Sequence, residues 1–242
     1  MPRARIARSA GALLLAFACA SLAPAANASS PSPAARYCPA GYAYAGLYTT
    51  KPVAGVAATL TMLAKPSIAA GHVAGWVGVG GSGMGPGGTD EWLQVGFASF
   101  DQPDGRLYYE LALPHKKPKF VQIAAGIQPG QNLRVAVVEL PFHPNQWVVV
   151  TPYGIVGPFH LPRSHGRWSP LATGESWTRS GATVCNSYDY RFKDVQLNAN
   201  GDWHALARAS VLKDPGWIVQ RESPSTFRAS SLKAGSVGAG SR

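Results

Sequence analysis

Three stretches of the sequence decide the fold: HVAGWVGV at residues 72–79, WLQVGFASF at 92–100 and RLYYELAL at 106–113. In each stretch, large apolar residues recur at every second position, which is the period of a strand with one buried face. The odd-numbered positions carry the apolar set, namely Val73, Val77, Val79, Leu93, Val95, Phe97, Leu107, Tyr109 and Leu111. We expect this set to form the core, so the even-numbered positions share the opposite face of the sheet.

Short β-type runs fill the rest of the middle of the chain. Further strands are predicted at 55–63, 120–125, 132–140, 147–151, 188–197, 203–212 and 217–220. Turn-forming sequences separate them, such as DQPDG at 101–105 and NANGD at 198–202. Many short strands at this spacing are typical of an all-β sandwich or barrel. We favour an antiparallel two-sheet β-sandwich.

The two ends of the chain differ from this middle part. Residues 1–28 combine a basic start, an apolar run at 10–22 and the small residues of Ala26-Asn27-Ala28, as in a cleaved signal peptide. A short uncleaved anchor is the alternative. Residues 29–222 are predicted to form one β-sandwich domain, and the Ser/Gly/Ala-rich residues 223–242 a disordered basic tail. We therefore expect a secreted, extracellular monomer with no transmembrane segment.

Charge and motif spacing limit the partners. Three of the 22 Lys and Arg lie in the predicted signal peptide, which leaves 19 against 12 Asp and Glu, a net charge of +7. No dense basic stripe occurs, so specific nucleic-acid binding is not expected. His160 and His165 lack a third ligand at metal-site spacing. The glycine-rich residues 78–88 fit no nucleotide fingerprint and are predicted to form a flexible flap. We expect neither a metal nor another cofactor.

Two cysteines remain once the predicted signal peptide is removed, Cys38 and Cys185. In an oxidising compartment, an isolated pair most simply forms one disulfide. Such a bond would tie the N-terminal arm to the region before Tyr188. Two free thiols are the alternative.

The even-numbered face carries residues that are unusual for a solvated sheet surface. If the three decisive strands are neighbours, this face displays Trp76, Trp92, Gln94, Tyr108, Glu110 and Arg106 together. Aromatic rings supply binding area, and an amide and a carboxylate supply hydrogen bonds of defined direction. We therefore predict a substrate-binding groove. The alternative is a loop, either 80–88 or 158–173, that covers the aromatic rings.

At these residues the chain resembles the glutamic peptidases, or eqolisins. The resemblance is carried by WVGV at 76–79, LQVG at 93–96, YYE at 108–110 and FKDV at 192–195. It implies a concanavalin A-like double-sheet fold and a secreted endopeptidase that uses a Gln and a Glu facing each other across a groove. Gln94 matches the catalytic glutamine of that family.

The matching glutamate is expected shortly before the 188–197 strand, where Glu175 is the only acid nearby. The family places Trp directly after this glutamate, followed by an apolar stretch and a second acid. Here the sequence continues Ser176-Trp177-Thr178-Arg179 instead. A buried amide bonded to the backbone is the alternative for Gln94, and a surface loop position is the alternative for Glu175.

Three functions are compatible with these residues. The first is an acid-active endopeptidase with Gln94 and Glu175 as the catalytic pair. The second is a non-catalytic, lectin-like module that binds a glycan or an extended polypeptide through the aromatic groove. The third is a glycoside hydrolase, for which Glu110 and Glu175 are the only candidate pair of carboxylates.

Overall fold

A computed structural model describes residues 40–100, 102, 104–180, 182, 184–199 and 201–231. Within these residues the regular structure is fifteen β-strands and one short 3-10 helix at Pro86–Gly88. The strands are β1 (Gly41–Tyr48), β2 (Gly55–Met62), β3 (His72–Gly81), β4 (Glu91–Ser99), β5 (Gly105–Ala112), β6 (Lys119–Ile127), β7 (Asn132–Glu139), β8 (Gln146–Thr151), β9 (Gly154–His160), β10 (Pro170–Thr178), β11 (Asp189–Ala199), β12 (Asp202–Ala205), β13 (Ser210–Lys213), β14 (Trp217–Ser223) and β15 (Thr226–Ser231). The all-β prediction is confirmed.

The strands form two sheets in which every pairing is antiparallel. The front sheet has seven strands in the order β13-β1-β10-β3-β4-β5-β6. The back sheet has eight strands in the order β14-β15-β11-β2-β7-β8-β9, and β12 pairs with β11 outside this order. The predicted antiparallel two-sheet β-sandwich is therefore confirmed.

The core lies between the two sheets and contains the odd-numbered apolar set. Its members Val73, Val77, Val79, Leu93, Val95, Phe97 and Leu107 are at most 1% exposed. From the back sheet, Leu60, Val135, Val149 and Phe192 join the same cluster. Burying each such side chain contributes roughly 1.5–3 kcal/mol to folding. Because one face of β3, β4 and β5 is fixed in the core, the other face is fixed outward.

The register of β3, β4 and β5 follows the predicted order of neighbours. Val77 lies opposite Val95, and Val95 lies opposite Tyr109. Gln94 lies between Gly78 on β3 and Glu110 on β5. The even-numbered residues of these strands are thus side by side on the outer face.

Four strands lie where no strand is predicted, namely β1, β9, β10 and β15. The predicted loop at 158–173 instead holds the end of β9 and the start of β10. Gly157 and Pro158 weaken the sequence pattern of β9, so the pattern does not predict a strand there. β9 is an edge strand, where proline is tolerated. The single strand predicted at 203–212 is two strands: β12 pairs with β11 in the back sheet, and β13 pairs with β1 in the front sheet.

The disordered tail predicted from residue 223 is wrong for residues 226–231, which form β15. Phe227 and Ala229 are fully buried, and the Phe227 ring stacks on Phe192 with centroids 4.6 Å apart. Phe227 is the only large apolar residue in TFRASS, which is why the pattern is weak. The β-sandwich therefore extends to Ser231 rather than to residue 222.

Several predictions fall on residues that the structure does not describe. These are the signal peptide at 1–28, Cys38 with its disulfide to Cys185, and the tail beyond residue 231. They stay predictions. In the described part of the chain, no helix has the length and apolar character needed to cross a membrane.

Candidate active site

A cleft of about 840 Å³ crosses the outer face of the front sheet. Each of the seven strands contributes to it: Leu212 from β13, Tyr42 and Tyr44 from β1, Leu171 and Glu175 from β10, His72, Ala74 and Trp76 from β3, Trp92, Gln94 and Ala98 from β4, Tyr108 and Glu110 from β5, and Phe120 from β6. The cleft thus contains both predicted catalytic residues and four of the five predicted binding residues. Arg106 is not among the lining residues, and its guanidinium lies 5.4 Å from the centre of the Phe100 ring.

Glu175 lies in the middle of β10 and is only 6% exposed, so it is not a surface loop residue. Its neighbours across the sheet are Tyr44 on β1 and Ala74 on β3. The Trp76 indole donates to Glu175 Oε2 at 2.9 Å, and His72 Nε2 lies 3.0 Å from Oε1. These two partners flank Ala74 along β3. The small side chain of Ala74 leaves room for the carboxylate between them.

Gln94 is also buried, and its amide is bonded to side chains rather than to backbone. Its Nε2 donates to the Tyr108 hydroxyl at 3.1 Å and to Glu110 Oε2 at 3.2 Å. On its other side lies Gly78, where an added Cβ would come within 2.8 Å of the Gln94 Cβ. A residue without a side chain at position 78 is therefore needed for Gln94 to occupy this place.

One row of residues lies between the carboxylate and the amide: Trp76, Gly96 and Tyr108 oppose one another on β3, β4 and β5. Along β3, Ala74 lies opposite Glu175 and precedes Trp76 by two residues. Gly78 lies opposite Gln94 and follows Trp76 by two residues. Trp76 donates to Glu175, whereas Tyr108 accepts from Gln94. An added Cβ at Gly96 would lie 2.7 Å from the Trp76 Cβ. The two candidate catalytic groups thus approach one small row from opposite sides.

The cleft changes the protonation of its own side chains. Burial, followed by the charge of Glu175, raises the pKa of Glu110 to about 7, while the charge of His72 acts in the opposite direction. Burial and the charges of Glu175 and Glu110 also raise the pKa of Tyr108. Glu175 therefore lies near enough to both partners of Gln94 to act on them through its charge.

The predicted flap borders the cleft, with Gly80, Gly81, Ser82 and Met84 among the lining residues. Asp90 closes the turn, because its Oδ1 accepts from Ser82 Oγ at 2.6 Å and from the Gly83 N–H at 2.9 Å. These hydrogen bonds lower the pKa of Asp90. The flap thus forms one wall of the cleft beside Trp92.

Solved structures share this architecture. Scytalido-glutamic peptidase, in complex with a peptide-based transition-state analogue, aligns with a TM-score of 0.54 and 16% identity over 80% of this chain and 98% of that chain. SCP-B, a member of the eqolisin family of peptidases in complex with the tripeptide Ala-Ile-His, aligns with a TM-score of 0.55 and 15% identity over 78% of this chain and 98% of that chain. The fold is that of the glutamic peptidases. Neither a protein-family model nor a curated protein sequence matches the chain. The assignment of the fold rests on the solved structures alone.

Several lining residues of this glutamic peptidase fold are absent from the sequence-based prediction. They are His72, Tyr42, Tyr44, Phe100, Phe120, Asp90, Leu171 and Leu212. The alternation that predicts the position of Trp76 also applies to His72, which precedes it by four residues on the same strand. No comparable signal exists for Leu212, because β13 pairs with β1 from a distant part of the chain.

Two other histidines, His160 and His165, each contact one side chain away from the cleft. His160 Nδ1 lies 3.3 Å from the Gln146 amide, and His165 Nδ1 lies 2.9 Å from Glu139 Oε2. Among the described residues, no group of three or more His, Cys, Asp and Glu is placed to hold a metal ion.

Proposed function

We propose that the chain is a glutamic-type endopeptidase that hydrolyses extended polypeptides in acid, with Glu175 and Gln94 as the catalytic pair. The observation that carries this proposal is a buried carboxylate and a buried amide lining one cleft of a glutamic peptidase fold. The solved structures with this fold were obtained with a peptide-based transition-state analogue and with a tripeptide. Substrate, reaction and roles are inferred from these features together.

Glu175 is oriented as a general base. Each of its carboxylate oxygens already has one side-chain partner, which fixes the plane of the group and leaves the remaining lone pairs for water. A water molecule gives its proton to Glu175 while its oxygen bonds to the carbonyl carbon of the scissile peptide. The carbonyl oxygen then carries the negative charge of the tetrahedral intermediate.

Gln94 supplies the hydrogen bond to that oxygen. Its two N–H groups donate to Tyr108 and Glu110 in the structure, and the substrate oxygen takes the place of one of them. A donor of this kind typically contributes roughly 10²–10³ in rate. The intermediate collapses when the C–N bond breaks and Glu175 gives its proton to the leaving amine. The products are a carboxylic acid and an amine, and Glu175 is again a carboxylate.

Glu110 explains why acid favours this arrangement. Because its pKa is raised to about 7, Glu110 is neutral in acid, and Glu175 is then free of a second negative charge beside Gln94. A neutral carboxyl group also has an O–H to donate. The site therefore has fewer competing anions at low pH than at neutral pH.

The shape of the cleft suits an extended chain. It crosses seven strands, which lie roughly 4.8 Å apart, so it is long enough for several residues of an extended peptide at about 3.3 Å each. Aromatic rings along both walls provide area for apolar side chains. This form is the basis for assigning polypeptide as the substrate class.

Hydrolysis of a denatured protein between pH 3 and pH 7 tests the proposal. We expect cleavage by the wild type, and a loss of kcat/KM of at least about 100-fold in Gln94→Ala and in Glu175→Gln. Gln220→Ala and Glu222→Gln are matched controls, because both residues are exposed on β14 of the back sheet. Full activity in both cleft variants would exclude the assigned pair.

The aromatic lining also favours a second candidate, a non-catalytic module that binds a peptide or glycan. Tyr42 stacks on Tyr44 with centroids 6.0 Å apart, and Phe120 stacks on Tyr108 at 4.6 Å, which leaves Tyr42 and Phe120 as the exposed rings of the walls. Absence of cleavage at every pH, together with retention on immobilised peptide or polysaccharide that Trp76→Ala weakens, would favour this role. Retention unchanged by Trp76→Ala would count against it.

A further inference from the structure

We propose that His72 is a positioning residue for Glu175: its hydrogen bond to Oε1 fixes the carboxylate in the orientation in which it accepts a proton from water. This inference rests on the proposed function and assigns a role to a residue outside the catalytic pair. It starts from the 3.0 Å contact between His72 Nε2 and Glu175 Oε1 inside the cleft.

The direction of this hydrogen bond follows from the chemistry of its two partners. The Trp76 indole can only donate, and it occupies Oε2 of Glu175. A carboxylate can only accept, so the ring nitrogen of His72 facing Oε1 carries the proton. His72 and Trp76, on opposite sides of Ala74, therefore each donate a hydrogen bond to one oxygen of the same carboxylate.

The imidazole is itself held by aromatic rings. It stacks on Trp177 with centroids 5.9 Å apart, and the Phe100 ring lies 5.4 Å away. Tyr42 meets it edge-on at 6.1 Å. Rings on three sides restrict rotation of the His72 imidazole. Nε2 therefore stays aimed at Glu175.

The titratable groups around His72 come from several strands of the front sheet. β10 contributes Glu175, and β5 contributes Glu110, whose pKa is raised by burial and by Glu175 against the opposing charge of His72. β1 contributes Tyr42, a phenol whose pKa is raised by burial. The Arg106 guanidinium lies on the Phe100 ring beside the imidazole. Of these groups, Glu175 is the one bonded to the His72 ring.

This arrangement has a direct consequence for the reaction. A general base takes a proton from water only when one of its lone pairs faces that water, so the orientation of the Glu175 carboxylate controls this step. The hydrogen bond from His72 fixes which lone pair of Glu175 faces the cleft. Loss of His72 should therefore slow the chemical step without much effect on substrate binding.

Kinetics of His72→Phe and His72→Gln test the inference, with His165→Gln as the matched control because His165 also pairs with a glutamate. In His72→Phe we expect kcat to fall by about 10–100-fold while KM stays within about threefold. His72→Gln keeps an N–H donor without a titratable charge. It should recover a large part of kcat. A wild-type kcat in both variants would overturn the inference.

A second measurement does not depend on activity. The exchange with solvent of the Trp76 indole N–H, followed by NMR, reports whether Glu175 is still held. We expect exchange at least about tenfold faster in His72→Phe than in wild type, and no change in His165→Gln. Unchanged exchange overturns the positioning role. If His72→Phe does not fold, the kcat and indole exchange of His72→Gln decide the matter. A wild type that cleaves no peptide refutes the proposed function, whereas the indole exchange still tests His72.

Discussion

At the scale of single residues, Glu110 links pH to stability. Its pKa rises from an ordinary value of 4.5 to about 7 in the folded chain, first because of burial and then because of Glu175. Between these two values the folded state binds a proton that the unfolded state has lost. The stabilising contribution is therefore complete below about pH 4.5 and disappears as the pH rises through about 7.

Replacement by glutamine removes this dependence, since Glu110→Gln does not titrate. We expect the wild type to lose about 1–2 kcal/mol more unfolding free energy than the variant between pH 4.5 and pH 8, after allowance for solvent screening. Urea denaturation at several pH values measures the difference. Glu222→Gln, at an exposed position, should follow the wild type. Parallel curves for wild type and Glu110→Gln would contradict the expected shift.

Alternation is the sequence signal that works at this scale. It predicts correctly that Trp76 and Gln94 share a face, because the large apolar residues between them leave only one way to bury the strands. Hydrogen bonds between side chains on different strands carry no such periodic signal. His72 lies on the same face as Trp76, yet its contact with Glu175 depends on β10, and Glu175 lies 103 residues after His72 in the sequence.

At the scale of elements, strands with large apolar residues at their core positions are predicted from the sequence, whereas strands with small core residues are not. β3, β4 and β5 are evident because Val, Leu and Phe fill their core positions. β10 reads PLATGESWT, and its core-facing Ala172 and Gly174 give almost no hydrophobic signal. Gly174 is small for a reason, because an added Cβ would lie 2.5 Å from the Tyr188 ring. The crowded core requires small residues in β10, and for this reason the sequence pattern does not predict the strand that carries Glu175.

The flap is an element whose role can be measured. Asp90 holds the turn through Ser82 and Gly83, and the same turn lines the cleft. We expect Asp90→Ala to raise KM for a peptide substrate by about three- to tenfold with kcat within twofold, because the wall loosens while the catalytic pair is untouched. Asp202→Ala, on exposed β12, is the control. A fall in kcat with unchanged KM would mean that the flap acts on chemistry instead.

At the scale of the whole molecule, the sheets join parts of the chain that lie far apart. β1 pairs with β10 on one side and with β13 on the other, and β15 joins β14 to β11. Such pairings depend on which edges remain available after the local hairpins form, and no local pattern encodes them. The sequence therefore predicts the sandwich and its central hairpins, but not the strand order at the edges.

The edge of the back sheet gives the last prediction, which concerns where the fold ends. β14 pairs only with β15 among the described strands, and β15 buries Phe227 against Phe192. A chain that stops at residue 225 loses both contacts. We expect it to unfold with at least about 3 kcal/mol less free energy than the full chain in urea, since a buried Phe alone contributes roughly 1.5–3 kcal/mol. A chain that stops at residue 231 removes only the remaining predicted tail and should match the full chain. Equal stability of the 225 and 231 truncations would mean that β15 contributes little, and that the domain ends where its composition first changes.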